Sequence, residues 1–112
     1  MTDAKTLFHR IIDREIPSKV EYEDTDVLVI HDIHPKAPTH LLFLPKIFVP
    51  SIIELTEETR HLPGMLILKA RNFAVENEIE GYKLMFHVGK AGGQEVFYLH
   101  LHFMAEKKLP KK

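Results

Sequence analysis

Cysteine is absent from the 112 residues, which excludes a disulfide framework, a thiolate nucleophile and a cysteine-ligated metal. No apolar run approaches the roughly 18 residues of a membrane-crossing helix. The opening Met1-Thr2-Asp3-Ala4-Lys5 has no apolar stretch behind its charges, as a secretory leader would have. The expectation is a soluble cytoplasmic protein that meets no membrane. Net charge is also missing: 15 Lys and Arg against 16 Asp and Glu leave −1, far from the basic excess of a surface that coats nucleic acid. Only Lys107 to Lys112 is locally basic, and such a tail is expected to be a solvated terminus. No repeat, low-complexity segment or linker interrupts the chain, and its length suits a single domain, residues 1–112, around one core.

Histidine, by contrast, is plentiful, with eight residues. Two of them stand in Gly92 to Ala105, where a glycine turn runs into alternating apolar and polar positions. On a strand every second side chain shares a face, so Tyr98, His100 and His102 point one way and Phe97, Leu99, Leu101 and Phe103 the other. The apolar set anchors the strand and leaves two imidazoles side by side, below a Gly92-Gly93 turn whose N–H groups suit an anion. A His-x-His pair of this kind serves structure, metal binding or phosphate chemistry. The pair alone does not choose among them.

The rest of the chain predicts an α+β domain with an antiparallel sheet of about five strands and two helices. Ala4 to Glu15 has helical spacing of Leu7, Phe8, Ile11 and Ile12, with Asp3 as its N-cap. Val20 to Glu23 and Val27 to His31 form a hairpin across Asp24-Thr25-Asp26. Two prolines keep Asp32 to Pro38 irregular before a strand from Thr39 to Leu44. A short connector, Pro50 to Leu55, leads to a main helix that takes its capping hydroxyl and acidic first turn from Thr56-Glu57-Glu58-Thr59 and runs to about Glu78, with Pro63 as a break or fresh start. Leu62, Met65, Leu66, Ala70, Phe73 and Ala74 make one stripe on that helix; Ile67, Leu68 and Val75 make a second, which suits a homodimer interface or a deeper burial. Gly81 caps the helix, and Tyr82 to Val88 is a strand.

Read in full, Gly93-Gln94-Glu95-Val96-Phe97-Tyr98-Leu99-His100-Leu101-His102-Phe103-Met104 resembles the closing motif of the histidine triad family, Gly-Gln-Ser/Thr-Val-x-His-x-His-x-His followed by apolar residues. Phe8 to Lys19, with Glu15-Ile16-Pro17, is similar to the opening helix and turn of its small Hint-type nucleoside phosphoramidases. His31 to His40 and Leu44-Pro45-Lys46 resemble the ribose-side loop. The likeness runs from Leu7 to Met104. It implies that His100 is the nucleophile on the α-phosphorus, that His102 contacts the phosphate and assists the leaving group, and that His40 orients the site. It implies further that Asp32 takes the ribose hydroxyls, with Leu7, Phe8, Ile11, Ile16, Ile30 and Ile33 around a purine base. His31, His87, Gly93, Gln94, Glu95, Val96 and Tyr98 complete the expected nucleotide site. The implied partner is a purine nucleoside monophosphate or its conjugates, with no metal or other cofactor.

Three positions depart from the family pattern. Tyr98 replaces the first triad histidine, although a backbone carbonyl there survives any substitution. Glu95 replaces a serine or threonine; a carboxylate about 5 Å from phosphate costs up to roughly 3 kcal/mol at an effective dielectric of 20, on the order of a hundredfold in rate. Strand parity turns Glu95 away from His100, alongside Phe97; otherwise the carboxyl stays protonated or meets a cationic leaving group such as a lysine-like amine. His87 replaces an asparagine and still offers a hydrogen bond. The longer, tryptophan-bearing C-terminal segment of the family has no counterpart in Glu106 to Lys112. The expected function is hydrolysis of a nucleoside phosphoramidate or related nucleotidyl conjugate through a nucleotidyl-His100 intermediate. A binding module with little or no catalysis and a dinucleoside polyphosphate hydrolase are the alternatives.

Overall fold

A computed structural model describes residues 6–110. Helix α1 spans Leu7–Ile12. The expected cap, Asp3, lies outside the described residues, and Thr6 is the N-cap: its hydroxyl accepts from the N–H groups of Phe8 and His9 while His9 Nδ1 accepts from Thr6 N–H. The helix stops short of Glu15 because Arg14 takes a left-handed φ of 64°, and the N–H groups of Arg14 and Glu15 turn back to the carbonyls of Ile11 and Arg10. These are the two bonds of a Schellman turn.

Strands β1 (Val20–Glu23) and β2 (Val27–His31) form the expected hairpin. Asp24 shapes its turn by accepting from the N–H groups of Asp26 and Val27. The same carboxylate receives Lys69 Nζ at 2.7 Å. Although burial opposes it, these bonds and the Tyr22 hydroxyl hold the Asp24 carboxyl well below its ordinary pKa. Strand β3 (Thr39–Pro45) is buried along its length, as a central strand covered on both faces must be.

The main helix, α2, spans Leu62–Glu76 and so begins later than Thr56. Thr56 to Thr59 instead closes its own turn, with Thr56 N–H donating to Thr59 Oγ1. Pro63 sits in the first turn of α2, where its missing N–H has no partner to lose. At the far end Glu78, not Gly81, takes the left-handed conformation, with φ 56°, and Glu78 and Ile79 bond back to Val75 and Ala74. Strand β4 is confined to Lys83–Met85, and β5 to Leu101–Ala105. The chain before β5 leaves the ladder because Leu99 N–H donates to Val49 outside the sheet.

The five antiparallel strands run in the order β1-β2-β3-β5-β4. Alternation divides them between two layers. Val27, Val29, Leu41, Phe43, Leu101 and Phe103 face α2, where Leu62, Leu66, Ala70, Phe73 and Ala74 close the larger core. Leu28, Ile30, Leu42 and Leu44 face α1 and pack with Phe8, Ile11 and Tyr98. Met65 is only partly buried against the larger core. The second stripe of α2 stays open: Ile67, Leu68 and Val75 are 44%, 56% and 64% exposed.

Candidate active site

On the α1 side, strand register sets two rows of side chains. Ile30, Leu42, His102 and Met85 lie opposite one another across β2, β3, β5 and β4. One step along, His40, Met104 and Lys83 form the second row. Together with α1 and the loops these rows line a cavity of about 850 Å³.

Hydrogen bonds fix the protons on three imidazoles. His100 Nδ1 lies 2.7 Å from the Tyr98 carbonyl oxygen, so Nδ1 carries the hydrogen and the Nε2 lone pair is free. His40 Nδ1 accepts Lys36 N–H at 3.0 Å. A neutral His40 therefore carries its hydrogen on Nε2, which donates to His102 Nδ1 at 3.0 Å and lies 3.4 Å from Asp32 Oδ2. His102 is left with its hydrogen on Nε2, a buried atom with no hydrogen-bond partner among the described residues. The result is a bare lone pair on His100 beside an unused donor on His102, with ring centroids 5.0 Å apart.

Burial lowers the pKa of all three rings. His100 is held below its ordinary 6.5 mainly by desolvation, against the pull of the Tyr98 carbonyl. His102 falls to about 4 through burial and its His100, His87 and His40 neighbours. His40 is lowered by burial despite Asp32. Neutral imidazoles near pH 7 are the state that leaves His100 nucleophilic.

Asp32, His40 and His102 also place one potential ligand atom each within 4.8 Å of one another. The proton pattern disfavours coordination there, because the His40 Nε2 that would face a metal carries the hydrogen while Nδ1 is committed to Lys36. A neutral imidazole ligates through its unprotonated nitrogen.

Most of the sequence-expected residues come together. Leu7, Phe8, Ile11, Ile16, Ile30 and Ile33 form an apolar wall of the cavity, with His31 and Asp32 beside it. Asp32 Oδ1 accepts His34 N–H at 2.8 Å, which orients its carboxylate. Phe8 also meets His100 edge-on, with centroids 4.9 Å apart. His87, Gly93, Glu95 and Val96 line the same cavity. The His87 ring stands 4.7 Å from that of His102. Glu95 is exposed and precedes the strand, so the parity that turned it away from the cavity does not apply.

Gln94 and Tyr98 do not line the cavity; they hold it up from behind. Buried Gln94 accepts Gly89 N–H and donates to the carbonyls of Pro50 and Val96, tying the loop around Gly93, whose φ is 93°. Tyr98 is buried against Phe8, His9 and Phe48, and its hydroxyl donates to the Pro45 carbonyl at 2.5 Å. Burial pushes that phenol's pKa up.

Eight lining residues escape the sequence-based expectation: Pro17, Ser18, His34, Lys36, Leu42, Lys83, Met85 and Met104. Leu42 and Met104 follow from parity with His40 and His102. Lys83 and Met85 depend on β4 lying beside β5, which no local signal conveys.

Over residues 5–112 the chain matches the family model described as scavenger mRNA decapping enzyme C-term binding. It is 37% identical over 107 residues to the purine nucleoside phosphoramidase of Escherichia coli strain K12, covering 94% of this chain and 90% of that protein. A histidine triad protein from Clostridium difficile superposes with a TM-score of 0.86 at 34% identity, covering 100% of this chain and 99% of that one. For a HIT family hydrolase from Legionella pneumophila Philadelphia 1 the TM-score is 0.84 at 38% identity, with 93% and 95% covered.

Proposed function

The chain belongs to the histidine triad family, in its Hint-like branch, and from that premise we propose that it hydrolyses purine nucleoside phosphoramidates or related nucleotidyl conjugates. Family membership and the similarity to a phosphoramidase support a nucleotide-binding hydrolase in general. One observation carries the finer assignment: the free His100 Nε2 lone pair adjoins the unpartnered His102 Nε2–H.

A purine nucleoside fits the apolar wall from Leu7 to Ile33, with the ribose hydroxyls at Asp32. His100 Nε2 attacks phosphorus, and the phosphorus–nitrogen bond breaks with its electron pair on the departing nitrogen. That nitrogen takes a proton from water at the open side of the cavity. His102, kept neutral by its surroundings, hydrogen-bonds a phosphoryl oxygen where negative charge builds, a contribution typically worth a few kcal/mol. Gly93 and His87 line the same cavity, but the N–H groups of Gly92 and Gly93 donate to the carbonyls of Gly89 and Lys90, so the glycine turn expected to hold an anion does not offer those donors to the phosphate. A second water then attacks the nucleotidyl-His100 phosphorus, its proton returns to the hydroxide left by the first step, and the neutral imidazole leaves. Overall one water is consumed, its hydrogen on the amine and its hydroxyl on phosphorus. A second copy of the chain over Ile67, Leu68 and Val75 belongs to the same proposal.

The test is turnover of adenosine 5′-phosphoramidate, with and without chelator, beside His100→Ala. Chelator-resistant turnover that falls at least about a thousandfold in the variant, with nucleoside monophosphate affinity largely kept, is the expected result. Binding without turnover in the unsubstituted protein would leave a nucleotide-binding module.

A further inference from the structure

A second, smaller cavity of about 260 Å³ lies beside the first. The two share three lining residues, Lys36, Met104 and Lys83. Two independent constraints bring the lysines to Met104. Lys83 pairs with Met104 across the β4–β5 ladder, one row along from the Met85–His102 pair. Lys36 is fixed on the other side, since its backbone N–H is bonded to His40 and His40 pairs with Met104 from β3. Strand spacing sets Lys83 and His40 roughly 10 Å apart with the methionine between them.

Neither ammonium has a carboxylate partner among the described residues. By contrast, Lys46 pairs with Glu23, and Lys69 with Asp24. Asp32 and Glu95 line only the larger cavity, and Glu106 lines only the smaller. The junction is therefore flanked by two unneutralised cations above a thioether floor.

The position of the junction says what occupies it. The nucleoside wall lies at the α1 and β2 side, and the attacking atom is on His100. A leaving group departs from phosphorus opposite the attacking atom, and from His100 the chain enters β5 and passes His102 to Met104. We propose that Lys36 and Lys83 form a leaving-group subsite, and that the substrate is a nucleotidyl conjugate whose departing amine carries negative charge, as a carboxylate or a phosphate. Lysine binds either as a point charge. This assignment rests on the proposed phosphoramidase reaction.

The experiment compares adenosine 5′-phosphoramidates of glycine, glycinamide and 2-aminoethyl phosphate, which differ in leaving-group charge. The expected kcat/KM for the glycine or the phosphate conjugate exceeds that for glycinamide by about tenfold at low salt and shrinks in 0.5 M salt. In Lys36→Gln/Lys83→Gln the ratio falls to about one; comparing substrates within one protein cancels any general loss. The same ratio is read without turnover from calorimetric affinities in His100→Ala, with and without the lysine substitutions. Turnover failing for every conjugate while the affinity ratio holds would strike the reaction and keep the subsite. A glycinamide preference, or a ratio untouched by removing both lysines, would overturn the subsite.

Discussion

His100 Nδ1 and the carbonyl oxygen of Tyr98 lie 2.7 Å apart, so the tautomer of His100 is set by backbone two residues away. This separates the chemistry from the identity of side chain 98. A tyrosine side chain at 98 is compatible with that tautomer because the partner of His100 Nδ1 is the backbone carbonyl and not the side chain. Tyr98 instead braces the floor behind the cavity through Pro45, Phe8 and Phe48.

Tyr98→Phe should expose that division of labour. The substitution leaves the backbone carbonyl in place and removes only the hydroxyl, stranding the buried Pro45 carbonyl. An unsatisfied buried acceptor costs about 1–3 kcal/mol. Urea unfolding should show a loss in that range, whereas kcat/KM should change by less than about fivefold. A loss of turnover like that of His100→Ala would mean that the phenol itself takes part in the reaction.

Histidine burial gives a second, pH-dependent signature. In the unfolded chain His102 titrates near 6.5, whereas in the fold it titrates at about 4. Between those values the unfolded state binds a proton that the folded state refuses, so stability rises with pH. The contribution is complete above pH 6.5 and is lost as pH falls towards 4. Between pH 7.5 and 4.5 this one ring accounts for about 2–3 kcal/mol, measurable as the excess loss of unfolding free energy over His102→Gln. The lowered pKa of His100 places the acid limb of kcat/KM below pH 6.5, since only the neutral ring attacks. A limb above pH 7 would contradict the buried, neutral nucleophile.

The features legible in the sequence are those that local chemistry dictates. The hairpin at Asp24, the alternation from Tyr98 to Ala105 and the apolar spacing of α2 need only neighbouring residues, and the structure keeps all three. Helix ends were less legible. Arg14 and Glu78 adopt left-handed conformations that usually go to glycine, because the returning hydrogen bonds and packing outweigh the local cost. Gln94 and Tyr98 belong to the motif yet lie behind the cavity, since motif residues support a site as well as touch it. Lys83 entered only through strand order, a long-range fact.

Glu95 is where position most changes the energetic expectation. The hundredfold penalty anticipated for a carboxylate near phosphate assumes a partly buried charge. Glu95 lines the cavity but is exposed, and solvent screening brings the dielectric close to that of water. A separation of about 5 Å then costs under about 1 kcal/mol, or roughly fivefold in rate. Glu95→Ser should therefore raise kcat/KM for a conjugate with an uncharged leaving group by no more than about fivefold, and by less in 0.5 M salt. Steady-state kinetics at two ionic strengths measures both effects. A gain near a hundredfold that persisted in high salt would mean that the carboxylate turns inward on the bound phosphate, and that Glu95 holds the natural enzyme back.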